Sequence, residues 1–397
     1  MLQADPHRPN VKFIAGHLGV GKSSELLRIR QDLERSGFQI LFIDVVEKLD
    51  PMDLVFSDLL TALAAELVNP ANRQRLGLEV LGGLWSGVSD RLQRVLNSKI
   101  ELTSIDLDLS VLGTSLGSMT AEIKKNPTKR LLFRDAIDNI STPLLDAIND
   151  DLKNGIAYVL KNNGKGVVLI VDGLEKVLLR VLDELAGLTT HTHLFIHNFL
   201  RLTSINAHCI YTLPISLLHS PQAAIFNNSA GDFVQPMPMI NLRGPDKSAV
   251  SDETPGMKIM YAMLDKRCKY AGITRKEAIE PAAASKLCRI TGGHPRHLVS
   301  LIQAACFEID KLPITIDAVN KAVRNYANSV FRSLPNSPDY LARLKRFDTP
   351  QRDLPADSVH REMLYYLHLY EYLNDQPFYE VNPIFRERPS YVEAVAK

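Results

Sequence analysis

The sequence predicts an α/β fold: three layers built on a parallel sheet, followed by a helical lid domain and a winged-helix-like domain. Three observations carry this. A short apolar run, Val11–Ala15, feeds a glycine-punctuated turn that opens a helix with Leu26, Ile29 and Leu33 at helical spacing. Two further runs, Phe38–Val46 and Val167–Val171, have the near-continuous apolar character of strands buried on both faces. From Ala249 onward strand signals give way to helical periodicity, until two short helices and a hairpin pattern close the chain.

The first turn carries the chemistry. Gly16, Gly21, Lys22 and Ser23 satisfy G-x-x-x-x-G-K-[ST], so Gly16, Gly19, Val20, Gly21, Lys22, Ser23 and Ser24 are the candidate phosphate cradle. Glycines let successive backbone N–H groups curl around an anion, and the helix N-terminus adds about half a positive charge. Lys22 is expected on the β- and γ-phosphates and the Ser23 hydroxyl on Mg²⁺.

Along the chain, Gly37 reads as the residue just past the first helix, before the Phe38–Val46 strand. Asp50 and Pro51 are expected to start the next helix, with Val55, Leu59, Leu63 and Leu67 on one face until Asn69–Pro70 stops it. Residues of about 71–160 read as an insertion, in which Ile105, Leu107, Leu109 and Val111 alternate with polar residues as an amphipathic strand does. Lys124, Lys125, Lys129 and Arg130 are its densest basic run, read as a solvated helix face or as phosphate contacts. Arg134–Leu160 reads as one or two amphipathic helices.

Val167–Val171 then delivers Asp172 to the C-terminal edge of the sheet, where ligands of open α/β sheets bind. Asp172 is the natural outer-sphere partner of the Mg²⁺ at Ser23, its strand and that of the glycine turn being expected as neighbours. A helix over 194–204 precedes the strand His208–Leu213, where Thr212 is read either as a sensor of the γ-phosphate or as a satisfied strand hydroxyl. Pro236–Leu242 is the expected fifth strand.

Helices follow over Pro255–Lys269, Thr274–Thr291, Pro295–Ile309 and Thr315–Leu334. At the junction TGGHPR, Pro295 suits the first helical position and is a candidate nucleotide contact, with Arg296 aimed at the phosphates. Helices over 338–347 and 359–369 and strands around an Asn374–Asp375 turn suggest a winged helix. The domains expected are thus 1–243, 244–334 and 335–397.

Bulk composition excludes other classes. With 46 basic and 45 acidic residues, a net charge of +1 gives no whole-chain case for nucleic acid or an anionic membrane. Arg343, Lys345, Arg346, Arg352 and Arg361 make the C-terminal module locally basic, but acidic neighbours nearly cancel them. Cys209, Cys268, Cys288 and Cys306 show no metal-type spacing and read as buried, reduced thiols. No signal peptide precedes residue 10, and no apolar run approaches the roughly 18–20 residues of a span, so a cytoplasmic protein is expected. The abrupt start before the first strand suits a trimmed chain or fragment.

Together these residues resemble a P-loop ATPase of the broad class holding AAA+ and STAND proteins. The likeness is strongest to bacterial ATPases with loops like GHLGVGKSSELLRI (Gly16–Ile29), and extends to IYTLPISL (Ile210–Leu217), TGGHPRHL (Thr291–Leu298) and FYEVNPIF (Phe378–Phe385). Asp172–Gly173–Leu174–Glu175 resembles the NACHT-type signature, and Gly293-x-Pro295 the G-x-P of the STAND lid. The resemblance implies ATP and Mg²⁺ as cofactors, phosphate binding at Gly21, Lys22 and Ser23, metal at Asp172, sensing at Thr212, and nucleotide contact at Pro295 and Arg296.

Two departures matter. The glutamate that directly follows the metal-site aspartate in most AAA+ enzymes is Gly173 here, and the nearest substitute is Glu175. Glu175 is read as the general base or as an ion-pair partner of Lys176 or Arg180. The segment from Pro214 to Pro238 contains no arginine to serve as a finger, which argues for a switch over a ring motor. In such a switch ATP closes lid and winged helix onto the core, and slow hydrolysis reopens them. The histidine that STAND winged helices bring to the phosphates falls at Asn382. The expectation is a regulatory Mg-ATP-binding ATPase of signalling or defence type. It would act on a separate effector and self-associate on ATP. The alternatives are an origin-recognition-like ATPase gripping DNA and a non-hydrolysing scaffold.

Overall fold

A computed structural model describes residues 9–78, 88, 124–223, 234–243, 250–330, 337–389 and 391. The predicted strand over 105–111 lies outside these residues. The main sheet contains β1 (Val11–Gly16), β2 (Phe38–Asp44), β3 (Gly166–Asp172), β6 (His208–Pro214) and β7 (Val234–Pro236), in the order β2-β3-β6-β1-β7. β2 pairs with β3, and β3 with β6, in parallel. β4 (Val181–Asp183), which is exposed, and β5 (Leu188–Thr189) form a separate antiparallel ribbon.

The sheet is fixed by its own apolar residues. Every residue of β3 and β6 is buried, as strands covered on both faces must be. Under α1 (Lys22–Arg35), Leu26 packs with Phe38, Ile40, Val168, Ile170 and Ile210, and each such fully buried side chain contributes about 1.5–3 kcal/mol. Gly37, at φ 94°, ends α1 in the left-handed conformation its position predicted.

Several boundaries move for local reasons. The second long helix, α2 (Phe56–Val68), starts five residues after Pro51. Asp50 instead closes a turn by accepting the Met52 N–H, while Asp58 accepts the Val55 N–H at 3.0 Å and fixes the later start. Asp58 and Asp53 also receive the buried Arg134, which lies within α3 (Pro127–Asp138) and ahead of α4 (Ser141–Lys161). Arg130 is likewise buried and paired with Asp50 at 2.7 Å, so the basic run is not simply a solvated face.

The expected strand at Pro236–Leu242 is instead β7, ending at Pro236. Pro236 and Pro238 lack the N–H that would carry the ladder onward. The expected helix over 194–204 divides into a π-type turn, Thr192–His197, and a short helix, Phe199–Thr203.

The described residues fall into two compact units. One holds the chain up to Ala15, Lys22–Leu217 and Gln222–Gln235; the other holds Gly16–Gly21, Leu218–Pro221 and everything from Pro236 onward. In the second, α5 (Pro255–Tyr270), α6 (Pro281–Ile290), α7 (Pro295–Cys306) and α8 (Ile316–Val330) follow one another. The predicted helix over 274–291 is broken because Pro281 forces Glu280 into an extended conformation, ψ 144°. Residues 237–242 pack closely against α5 and the residues before α7: a Cβ on Gly256 would stand 1.9 Å from Asn241 O, and one on Gly293 1.9 Å from Ile240 O.

α9 (Pro338–Lys345), α10 (Ser358–Tyr365) and the antiparallel hairpin of β8 (Leu369–Asn374) and β9 (Gln376–Val381) close the unit, with Asp375 at φ 60° in the tight turn. Cys209, Cys268 and Cys288 are buried, and burial pushes the Cys209 and Cys288 thiols up to about 12. Cys306 is exposed, contrary to expectation, because it falls one residue past Ala305 and off the buried face of α7. No helix among the described residues is long and apolar enough to cross a membrane.

Candidate nucleotide site

The strand register brings the acidic residues to the chemistry. β3 ends at Asp172, and Gly173 at φ 90° turns the chain into the short 3₁₀ turn Leu174–Lys176. That left-handed turn, open to glycine without strain, folds Glu175 back into the protein. Glu175 is 2% exposed and its Oε1 lies 3.4 Å from Lys22 Nζ, itself 2% exposed. Its partner is therefore Lys22, the first residue of α1, and not Lys176 or Arg180.

Ser23, next along α1, hydrogen-bonds the Asp172 carboxylate. Burial holds the Asp172 carboxyl above its ordinary range; the Ser23 hydrogen bond opposes this and the Glu175 charge adds to it. One oxygen of each acid, Asp172 Oδ1 and Glu175 Oε2, is buried with no hydrogen-bond partner in the protein. Two carboxylate oxygens left so beside an ammonium and a hydroxyl fit a hydrated hard cation and a phosphate, because buried acceptors otherwise find partners.

The strand of Asp172 and that of the glycine turn are not neighbours, as they were expected to be. β6 lies between them. It carries Thr212, fully buried, whose Oγ1 accepts the Leu174 N–H at 2.9 Å. Thr212 thus braces the turn that carries Glu175.

The loop Gly16–Gly21 has its own surroundings. Gly19 and Gly21 take φ of 84° and 115°. A Cβ on Gly16 would stand 2.9 Å from Met237 O, and one on Gly19 2.7 Å from Arg296 Nε and 2.9 Å from His294 Cε1. Val20 packs among Met239, Tyr370, Tyr372 and Phe378. Arg296 and the half-buried Pro295 open α7, and the structure sets Arg296 beside the loop's middle glycine. Ser24 follows Ser23 in the first turn of α1.

Sequence reasoning missed the histidines. His294 Nε2 meets Leu18 O at 2.8 Å, and His17 Nε2 accepts the Glu371 N–H at 2.7 Å. His294 was visible as a possible N-cap before Pro295, but nothing local marks His17. Asn382 is fully buried: its amide donates to Leu367 O and its carbonyl accepts from Ile384 N–H.

A strand, G-x-x-x-x-G-K-S loop and helix on an α/β sheet whose third strand ends in a buried aspartate define the P-loop NTPase class of fold. No family model and no curated protein matches the chain. Among solved structures, the ORC2 protein of Aeropyrum pernix in ADPNP-ADP complexes is similar at 11% identity and a TM-score of 0.42, over 100% of this chain and 89% of that one. Cdc6p from Pyrobaculum aerophilum is similar at 11% identity and 0.39, over 98% and 88%. A RuvB variant of Thermotoga maritima gives 14% identity and 0.25, over 59% and 79%.

Proposed function

We propose that this chain is a Mg-ATP-binding regulatory ATPase of AAA+ or STAND type, hydrolysing ATP slowly to ADP and phosphate. The observation that carries the reading is the buried convergence of the Lys22 ammonium, the Ser23 hydroxyl and the Asp172 and Glu175 carboxylates, with one oxygen of each acid unclaimed. Backbone N–H groups of Gly16–Gly21 and the first turn of α1, including Ser24, cradle the phosphates, with Arg296 beside Gly19 and Pro295 preceding it at the start of α7 as further nucleotide contacts. Ser23 and Asp172 hold Mg²⁺, which when bound neutralises charge on the phosphate oxygens.

Phosphate competes with Glu175 for the Lys22 ammonium. Nucleotide binding therefore frees the Glu175 carboxylate to take a proton from water. Thr212 holds the turn in place while it does so and offers its remaining hydrogen to the γ-phosphate. The nucleotide state is passed to a separate effector, and ATP promotes self-association.

The test is a binding and turnover assay on the full chain. Wild type binds Mg-ATP and releases phosphate, Lys22→Ala does neither, and Glu175→Gln binds without turnover. A wild-type chain that ignores ATP overturns the proposal.

A further inference from the structure

The middle of the phosphate loop is gripped by two imidazoles whose protonation states are fixed by their partners. His294 Nδ1 accepts the His297 N–H at 3.2 Å, so its Nε2 carries the hydrogen donated to Leu18 O at 2.8 Å. His17 Nε2 accepts the Glu371 N–H at 2.7 Å and so holds a lone pair. Both rings are buried, at 1% and 0% exposure, and the contact in which each accepts an N–H needs a neutral imidazole.

The grip bears on the loop's donors through the planarity of the peptide. In a trans peptide the carbonyl and the next N–H point in opposite directions. Leu18 O turned onto His294 therefore sends the Gly19 N–H away from that histidine, and Gly19 keeps the required φ of 84°. One residue earlier, His17 is moored to the backbone of β8.

We infer that His17 and His294 are positioning residues for the phosphates: together they set the peptide orientation of the loop, and protonating His17 breaks its mooring to β8. The inference rests on reading Gly16–Ser24 as a nucleotide site.

The groups facing the pair come from three elements. From β8, the Tyr370 ring stands edge-on to His17 and stacked on His294, each at 5.7 Å, while the Glu371 carboxylate is held by His219 and the Tyr372 hydroxyl by Gly292 O. From α7, His297 lies 4.1 Å from His294 and shares a hydrogen bond with the Tyr370 hydroxyl, and Arg296 stands over Gly19. From α8, Tyr326 meets His297 edge-on. A charged His17 thus arises with the Glu371 carboxylate already engaged by His219.

The experiment is Mg-ATP titration of the full chain between about pH 8 and pH 5, with a nucleotide-free readout alongside: the NMR shift of the Glu371 amide. Wild-type affinity is expected to fall about tenfold on acidification, and the Glu371 amide to titrate with it. His17→Gln puts a non-titrating acceptor near Nε2, so it keeps neutral-pH affinity within about threefold and flattens both profiles. His17→Leu binds weakly at every pH. Mg-ATP binding indifferent to pH and to His17→Leu, or a Glu371 amide that does not titrate, overturns this inference alone. A wild-type chain that binds no Mg-ATP at any pH overturns it together with the nucleotide reading.

Discussion

The Lys22 ammonium lies 3.4 Å from Glu175 Oε1, and both side chains are all but excluded from water. Neither charge is cheap to bury alone, so each is held by the other. Lys22→Ala strands the Glu175 carboxylate and is expected to cost about 3–5 kcal/mol in denaturant unfolding. The double variant Lys22→Ala/Glu175→Ala should recover much of that stability without recovering nucleotide binding, a contrast that separates the two roles.

Glu175→Gln keeps the volume and an acceptor for Lys22 while removing the basic oxygen. Mg-ATP affinity should stay within about threefold of wild type, and single-turnover hydrolysis should fall about 100- to 10,000-fold. Wild-type turnover by this variant would remove Glu175 from the chemistry.

Asp172 carries a pH signature of known sign. Burial raises its carboxyl above the ordinary value, so the folded chain holds this proton more tightly than the unfolded one. The associated stability is fully present below the unfolded value of about 3.9 and is lost as pH rises through the folded one. Asp172→Asn should accordingly raise the melting temperature of metal- and nucleotide-free protein at neutral pH, with the difference closing below about pH 4. The same variant should lose the stabilisation by Mg-ATP, about 2.7 kcal/mol for wild type at a hundredfold excess over Kd.

Thr212→Val is nearly isosteric but leaves the buried Leu174 N–H without its acceptor, at a cost of about 1–3 kcal/mol. The turn bearing Glu175 is thereby loosened, so turnover should fall with Mg-ATP affinity little changed. Thr212→Ser keeps the hydroxyl and should restore both stability and rate, measured by thermal unfolding and phosphate release.

What the sequence reveals and what it hides divide by range. β1, its glycine turn, α1 and the Asp172 strand were legible because apolar runs and turn glycines are local signals. The same signals mislead where one residue decides: Pro236 stops a strand that apolarity extends, and Asp58 sets a helix start that Asp50–Pro51 claims. Sheet order is not local, so nothing in the run His208–Pro214 says that it slots between the other two site strands. The Glu175 partner was hidden similarly, since Lys176 and Arg180 are nearer along the chain than Lys22. The contact of His17 with Glu371 spans 354 residues and has no signature at either end.

The placement of Val20 has a practical corollary. Its packing partners Met239, Tyr370, Tyr372 and Phe378 all come from the C-terminal part of the chain. Grafting a foreign tail after Gln235 would strip those neighbours from a glycine turn encoded more than two hundred residues upstream. Chimeras of this protein should therefore be judged first by whether the turn around Val20 keeps its packing, before any question of what the new tail recognises.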